Sequence, residues 1–163
     1  MAFSACILIN KWHPRLPDVL ASLQDCSSEL ILGINGEFNP EKYPVLKQFP
    51  RLKIVPLTWK GYGATKNELA GKAQNDWILS IDADEVADEQ LQESLQQIDL
   101  KHEVEVYSVK RANYLGETLL QHGAWGNHKK AFVRLYHRKF TQWNEDPVHE
   151  KIAQKKENLS LTL

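Results

Sequence analysis

An apolar-rich run, residues 77–81, stops abruptly at three carboxylates within four positions: Asp82, Asp84 and Glu85. Five such residues bounded by charge have the length of a buried strand. In extended backbone Asp82 and Asp84 project from one face, about 6–7 Å apart along the chain. Carboxylates held that close repel each other unless a cation lies between or beside them. A divalent ion with oxygen ligands, Mg²⁺ or Mn²⁺, suits the pair, and phosphate oxygens can complete its shell. The competing reading is an acidic strand-to-helix turn in which Asp84 or Glu85 caps the following helix.

Upstream, residues 58–67 read Thr-Trp-Lys-Gly-Tyr-Gly-Ala-Thr-Lys-Asn. Gly61 and Gly63 permit a sharp loop beside a ligand. Ala64, Leu69, Ala70 and Ala73 then read as a helix, whose opening turn offers free N–H groups to an anion, with Lys66 supplying charge. The plainer alternatives are a solvated helix face for Lys66 and a local backbone hydrogen bond for Asn67. The five tryptophans divide by context. Trp77 lies inside the apolar run and reads as core. Trp12, Trp59, Trp125 and Trp143 flank polar loops, where indole faces suit either a core or the apolar side of a sugar ring.

These groups need a scaffold. Residues 5–9 form a short apolar run with Asn10, Lys11 and Trp12 at its end. Leu16, Val19, Leu20 and Leu23 give a stripe at helical spacing, with Pro17 in the first turn. Residues 29–34 read as a second strand closed by Asn35-Gly36. Asn39-Pro40 opens a loop or short helix through Leu46. Residues 52–57 read as a third strand, and Pro56 places it at an edge or near a strand end. Leu91, Leu95 and Ile98 mark an amphipathic helix over 86–97. Residues 104–109 and 131–136 alternate as half-buried strands, and the tail after Lys151 opens as a short helix. Strand, helix, strand, loop, strand, helix, strand argues for an open, largely parallel α/β sheet. Ligands in such sheets sit outside the carboxyl ends of the strands, where Asn10, Asn35, Thr58 and Asp82 all fall.

A chain of 163 residues suits one domain, 1–163, with a full-sized core. A net charge of −1 gives no polycationic surface and does not imply nucleic acid. Cys6 and Cys26, with no secretory leader in view, read as free thiols in a reducing compartment. No apolar run approaches membrane-spanning length.

The whole chain resembles a family 2 glycosyltransferase with the GT-A fold, nearest to bacterial lipopolysaccharide core β-glucosyltransferase-like proteins. The resemblance rests on Trp59-Lys60-Gly61-Tyr62-Gly63 with Lys66-Asn67, then the run from Asp76 to Glu85. Arg111-Ala112-Asn113-Tyr114-Leu115-Gly116, His122-Gly123-Ala124-Trp125, Arg134-Leu135-Tyr136 and Val148-His149-Glu150 follow in the group's order. It implies an inverting enzyme that moves a sugar, UDP-linked, from a nucleotide-sugar donor to a glycan or lipid-linked acceptor, in the cytoplasm and peripheral to the inner membrane. By the same resemblance Asp84 is the direct metal ligand, Asp82 lies nearer the donor ribose, and His149 assists the metal or diphosphate. Asn10, Asn35, Gly63, Lys66 and Asn67 fall in the donor-binding segments. Glu150 is the expected general base for the acceptor hydroxyl, with Asp146 second.

The sequence departs from the family in two places. Gly33-Ile34-Asn35-Gly36-Glu37 replaces an acidic segment in which an Asp reads the base, and Asn10-Lys11-Trp12-His13 replaces a Thr-Lys-Asn-Glu-like strand end. The chain also ends before family members do, which reads either as a compact variant or as a shortened chain. Two other functions fit parts of the pattern: a nucleotide-sugar- or glycan-binding domain without turnover, and a metal-dependent phosphoryl or nucleotidyl transferase that needs only the acidic pair.

Overall fold

The computed structural model describes residues 2–100, 106–116, 118–120, 131–146, 150–152 and the backbone of 160–162. The apolar runs form strands: β1 (Phe3–Ile9), β2 (Glu29–Asn35), β3 (Leu52–Leu57) and β4 (Trp77–Asp82). Three helices accompany them: α1 (Leu16–Leu23), α2 (Tyr62–Gly71) and α3 (Glu89–Gln97). Further on come β5 (Val106–Lys110), a small ribbon of β6 (Tyr114–Leu115) and β7 (Thr118–Leu119), then β8 (Ala131–His137) and β9 (Ser160–Thr162). The large sheet has seven strands in the order β3-β2-β1-β4-β8-β5-β9. β1 pairs parallel with β2 and β4, and β2 with β3, while β8 runs antiparallel to both of its neighbours. This is the GT-A-like α/β arrangement expected. β3 takes an edge of the sheet, where the missing N–H of Pro56 is tolerated.

Strand parity sorts the side chains into two layers. Phe3, Ala5, Ile7 and Ile9 of β1, with Trp77, Leu79 and Ile81 of β4, pack with Leu16, Val19, Leu20 and Leu23 of α1 and Leu95 of α3. Each fully buried leucine there contributes about 1.5–3 kcal/mol over its exposed state. The opposite face holds Cys6, Ile31 and Ile78 under Leu69 and Ala70 of α2, together with Tyr136 and Trp143. Side chains two apart share a face, so Asp82 falls on the α2 side with Ile78. On β8, Arg134 is the residue skipped where the pairing with β5 shifts register between Leu135 and Val133.

Some boundaries differ from the sequence reading. The amphipathic helix begins at Glu89 rather than at 86, because Asp88 supplies the cap: its Oδ1 accepts from the Leu91 N–H at 2.8 Å. Neither Asp84 nor Glu85 is that cap. The segment expected as a loop or short helix after Asn39 forms two 3₁₀ turns, Pro40–Lys42 and Pro44–Gln48. Residues 104–105, His122 to Trp125 and the tail helix expected after Lys151 lie largely outside the described residues, and β9 forms where the chain is described again. Both cysteines are free, and burial pushes the Cys6 thiol up to about 12.

Candidate functional site

Two clefts open along the carboxyl edge of the parallel strands, and they meet at His13, Asp82 and Asp84. The smaller, about 700 Å³, brings together Asn10 from the end of β1, Asn35 from β2, Lys66 from α2, Asp82 and Asp84 from the end of β4, and Glu150. Six of the residues expected from sequence thus share one cavity. Trp12, Trp59 and Tyr62 also line it. Trp12 is fixed from behind by a stack: its ring lies 4.0 Å from Tyr43 at 6°, and Tyr43 lies 5.0 Å from Phe38 at 9°. Trp59 and Tyr62 meet edge-on at 4.7 Å, and both stay about half exposed, at 49% and 50%.

The glycine loop is ordered by its own polar contacts. Gly61 sits at φ +93°, in the left-handed region that favours glycine. The Lys60 N–H donates to Thr65 Oγ1 at 3.0 Å, and the Thr65 N–H donates to the Gly61 carbonyl at 3.0 Å. That aims Lys66 inward from the second turn of α2. Its side chain is 7% exposed, a burial that requires partners. The ammonium lies 3.3 Å from Asp82 Oδ1 and 3.5 Å from Glu150 Oε1, and rests on the Trp143 ring at 4.2 Å.

Asp82 is compensated on both oxygens. Arg134 Nη2 reaches Oδ2 at 3.1 Å and Glu85 Oε1 at 2.5 Å, and Arg111 reaches the same Glu85 oxygen at 3.4 Å. Glu85 is fixed further by the Asp82 N–H, which donates to its Oε2 at 3.2 Å. The result is a chain of alternating charge: Glu150, Lys66, Asp82, Arg134, Glu85, Arg111. Burial alone would push the Asp82 carboxyl up, but Lys66 and Arg134 outweigh it and hold the group below the usual range. The same carboxylates, Glu85 first, outweigh the burial of Arg134 and strengthen its hold on a proton.

The sign of this shift sets an acid-stability test. A lowered folded-state value means the Asp82 contribution is complete above its unfolded value, about 3.9, and is lost as pH falls through the depressed one. Urea midpoints of the wild type and Asp82→Asn are expected to differ most near neutrality and to converge below about pH 4. A gap that stays constant into strong acid would reject the assignment.

Of the acidic pair, Asp82 is balanced by the side-chain cations Lys66 and Arg134. Asp84 is exposed, borders both clefts and has no ion pair among the described residues. No cluster of three or more His, Cys, Asp or Glu suited to a metal occurs among the described residues. The donor set therefore fits an ion that brings most of its own oxygens, such as a diphosphate-bound Mg²⁺ or Mn²⁺ with Asp84 as its protein ligand.

Two residues of the expected donor segments make scaffold contacts. The Asn67 side chain clamps the backbone of Trp143: Nδ2 donates to the carbonyl and Oδ1 accepts from the N–H, both at 2.9 Å. Gly63 lies against the Asn144 carbonyl with no room for a Cβ. Asn144 in turn exchanges two 2.8 Å hydrogen bonds with the Lys151 backbone, and Trp143 bridges Ile152. Helix α2 thus grips the hairpin that carries Glu150 to Lys66. Asp146 is exposed and lines neither cleft. His149 lies outside the described residues. Trp143 is 3% exposed and is core beneath Lys66. Arg134 and Arg111 were given no role in the sequence reading. The available signal was an arginine on the pleat face of a strand neighbouring the acid-ended one.

An open, mostly parallel sheet with an acidic strand end beside a lysine-bearing helix is a GT-A-like α/β scaffold. The family model for glycosyl transferase family 2 matches residues 9–156, and the chain belongs to that family. A glycosyltransferase of Rickettsia typhi is 24% identical over 144 residues, covering 86% of this chain and 48% of that protein. The chain therefore spans about half the length of that relative. The crystal structure of S. aureus TarS 1-349 superposes with a TM-score of 0.57 at 15% identity, covering 90% of this chain and 51% of that one. The same protein in complex with UDP-GlcNAc gives 0.50 at 20% identity, over 68% of this chain and 34% of that one. Glucosyl-3-phosphoglycerate synthase from Mycobacterium tuberculosis, solved with Mn²⁺, UDP and glucosyl-3-phosphoglycerate, gives 0.50 at 13% identity, over 66% and 43% of the two chains. At these identities the structures establish the fold. No helix among the described residues is long and apolar enough to cross a membrane.

Proposed function

We propose that the chain transfers a sugar from a UDP-linked donor to a glycan or lipid-linked acceptor with inversion at the anomeric carbon. The observation that carries this is the convergence of Asn10, Asn35, Lys66, Asp82, Asp84 and Glu150 on one cleft. In this reading the nucleoside lies across the ends of β1 and β2, against the backed face of Trp12, and its diphosphate reaches the acid centre. Lys66 pairs the departing diphosphate as charge develops on it. Glu150 takes the proton of the acceptor hydroxyl while that oxygen bonds to the anomeric carbon and the bond to the diphosphate breaks. Asp84 would hold a Mg²⁺ or Mn²⁺ ion with the donor phosphates, which supplies charge stabilisation when bound. The sequence motifs favour a lipopolysaccharide-core acceptor, met at the cytoplasmic face of the inner membrane.

Calorimetry with UDP, CDP, GDP and ADP, each with and without Mn²⁺, tests the donor reading. UDP is expected to bind and to bind more tightly with Mn²⁺. If no nucleoside diphosphate binds under either condition, the proposal fails. Donor binding with no hydrolysis or transfer, across a panel of UDP-sugars and acceptors, would instead assign a binding domain without turnover.

A further inference from the structure

The second cleft is the larger, about 1080 Å³, and it lies on the other side of Asp82 and Asp84 from the nucleotide side. If the diphosphate occupies the acid centre, as the donor reading has it, the acceptor approaches through this second cleft. The charges lining it are unevenly satisfied. Asp82 and Glu85 are taken by Lys66 and Arg134. Asp88 caps α3, and Asp84, without an ion pair among the described residues, faces the donor metal in the donor reading. The cations of the outer wall are less engaged. Arg111 has only the long 3.4 Å contact to a Glu85 oxygen already held by Arg134 at 2.5 Å. Its guanidinium is stacked on Phe132 at 4.4 Å. Lys110 and Arg15 line the same cleft, exposed and without an ion pair among the described residues. Beside them Tyr114, 58% exposed, offers an aromatic face.

We propose that this cleft selects an acceptor sugar bearing an oxyanion, held by Arg111 together with Lys110 and Arg15. A stacked guanidinium keeps its fork in one plane and loses little freedom on binding, which suits a phosphate or a carboxylate. A neutral acceptor leaves the cationic wall uncompensated and so binds less well. Tyr114 packs the apolar face of the ring.

The test uses the full chain saturated with UDP and Mn²⁺, titrated with glucose 6-phosphate, glucuronate and glucose. At least one anionic sugar is expected to bind about tenfold or more tightly than glucose, with an affinity that falls as salt rises. Preference for glucose 6-phosphate assigns the phosphate, and preference for glucuronate the carboxylate. Arg111→Gln and, independently, the exposed Lys110→Ser are each expected to reduce the preference, with UDP affinity unchanged in Lys110→Ser and an unchanged far-UV spectrum and cooperative melting as the check that both variants are folded. Equal binding of all three sugars, no binding of either anionic one, or a preference untouched by both variants overturns the proposal while the donor reading stands. Failure of UDP itself to bind the wild type overturns both.

Discussion

Glu150→Gln is expected to lower turnover by roughly 10²–10⁴-fold, the usual scale for losing a general base, with donor affinity close to normal. Glutamine keeps the size of the side chain and an oxygen that accepts from Lys66, whose ammonium lies 3.5 Å away. The hairpin holding residue 150 is fastened independently, by the Asn67 clamp on Trp143 and the Asn144–Lys151 pair. The fold therefore does not depend on the charge. Asp84→Asn is the contrasting variant. It removes the carboxylate proposed to hold the metal with the diphosphate, so metal-dependent UDP affinity and turnover are expected to fall together. Paired titrations and initial rates of donor hydrolysis or transfer separate the two patterns. Full activity in Glu150→Gln would eliminate it as the base and pass the role to another carboxylate. Loss of donor binding in a folded Glu150→Gln would make it a donor ligand.

Gly63→Ala is expected to be the most damaging small substitution in the chain. An added Cβ would overlap the Asn144 carbonyl, a backbone atom that cannot swing aside. Either α2 or the hairpin must shift, at a cost of about 1–3 kcal/mol or more, lowering Tm by roughly 2–4 °C for each kcal/mol in a chain of this size. The same shift separates Lys66 from Glu150, so activity is expected to fall further than stability accounts for. Gly71→Ala, in the last turn of the same helix, meets nothing within 4 Å. It is expected to be neutral or stabilising by up to about 1 kcal/mol. Equal melting temperatures for the two variants would show that the Gly63 contact is not tight.

Apolar periodicity read the sheet well, because the parallel core strands are buried on both faces and announce themselves as continuous runs. The edge position of β3 followed from one proline. The strand-end rule located Asn10, Asn35 and Asp82, and the cleft that unites them was legible to that extent. What periodicity does not encode is pairing at a distance. Arg134 neutralises Asp82 across 52 positions and Glu85 across 49. Asn67 and Trp143 are 76 apart. Resemblance alone places Asn67 in the donor segments; its amide also bonds the backbone of Trp143 at both ends, a partner no local pattern announces. The acidic pair likewise shows no local cation, and the arginine that balances Asp82 comes from a distant strand.

That separation bears on how the molecule is assembled in time. The connections from β1 to β4 are shorter than the one from β4 to β8, so loop-closure entropy favours their condensing first. At that stage Asp82, Asp84 and Glu85 crowd one strand end with only Lys66 as counterion. Arg134 arrives only when the return strand β8 docks beside β4, after a much longer loop has closed. Like-charge repulsion at the exposed end of β4 is thus relieved by the last strand to insert next to it. The charge that makes the mature pocket also makes the partly folded chain an acceptor for that strand, favouring a basic segment over any neutral competitor for the open edge.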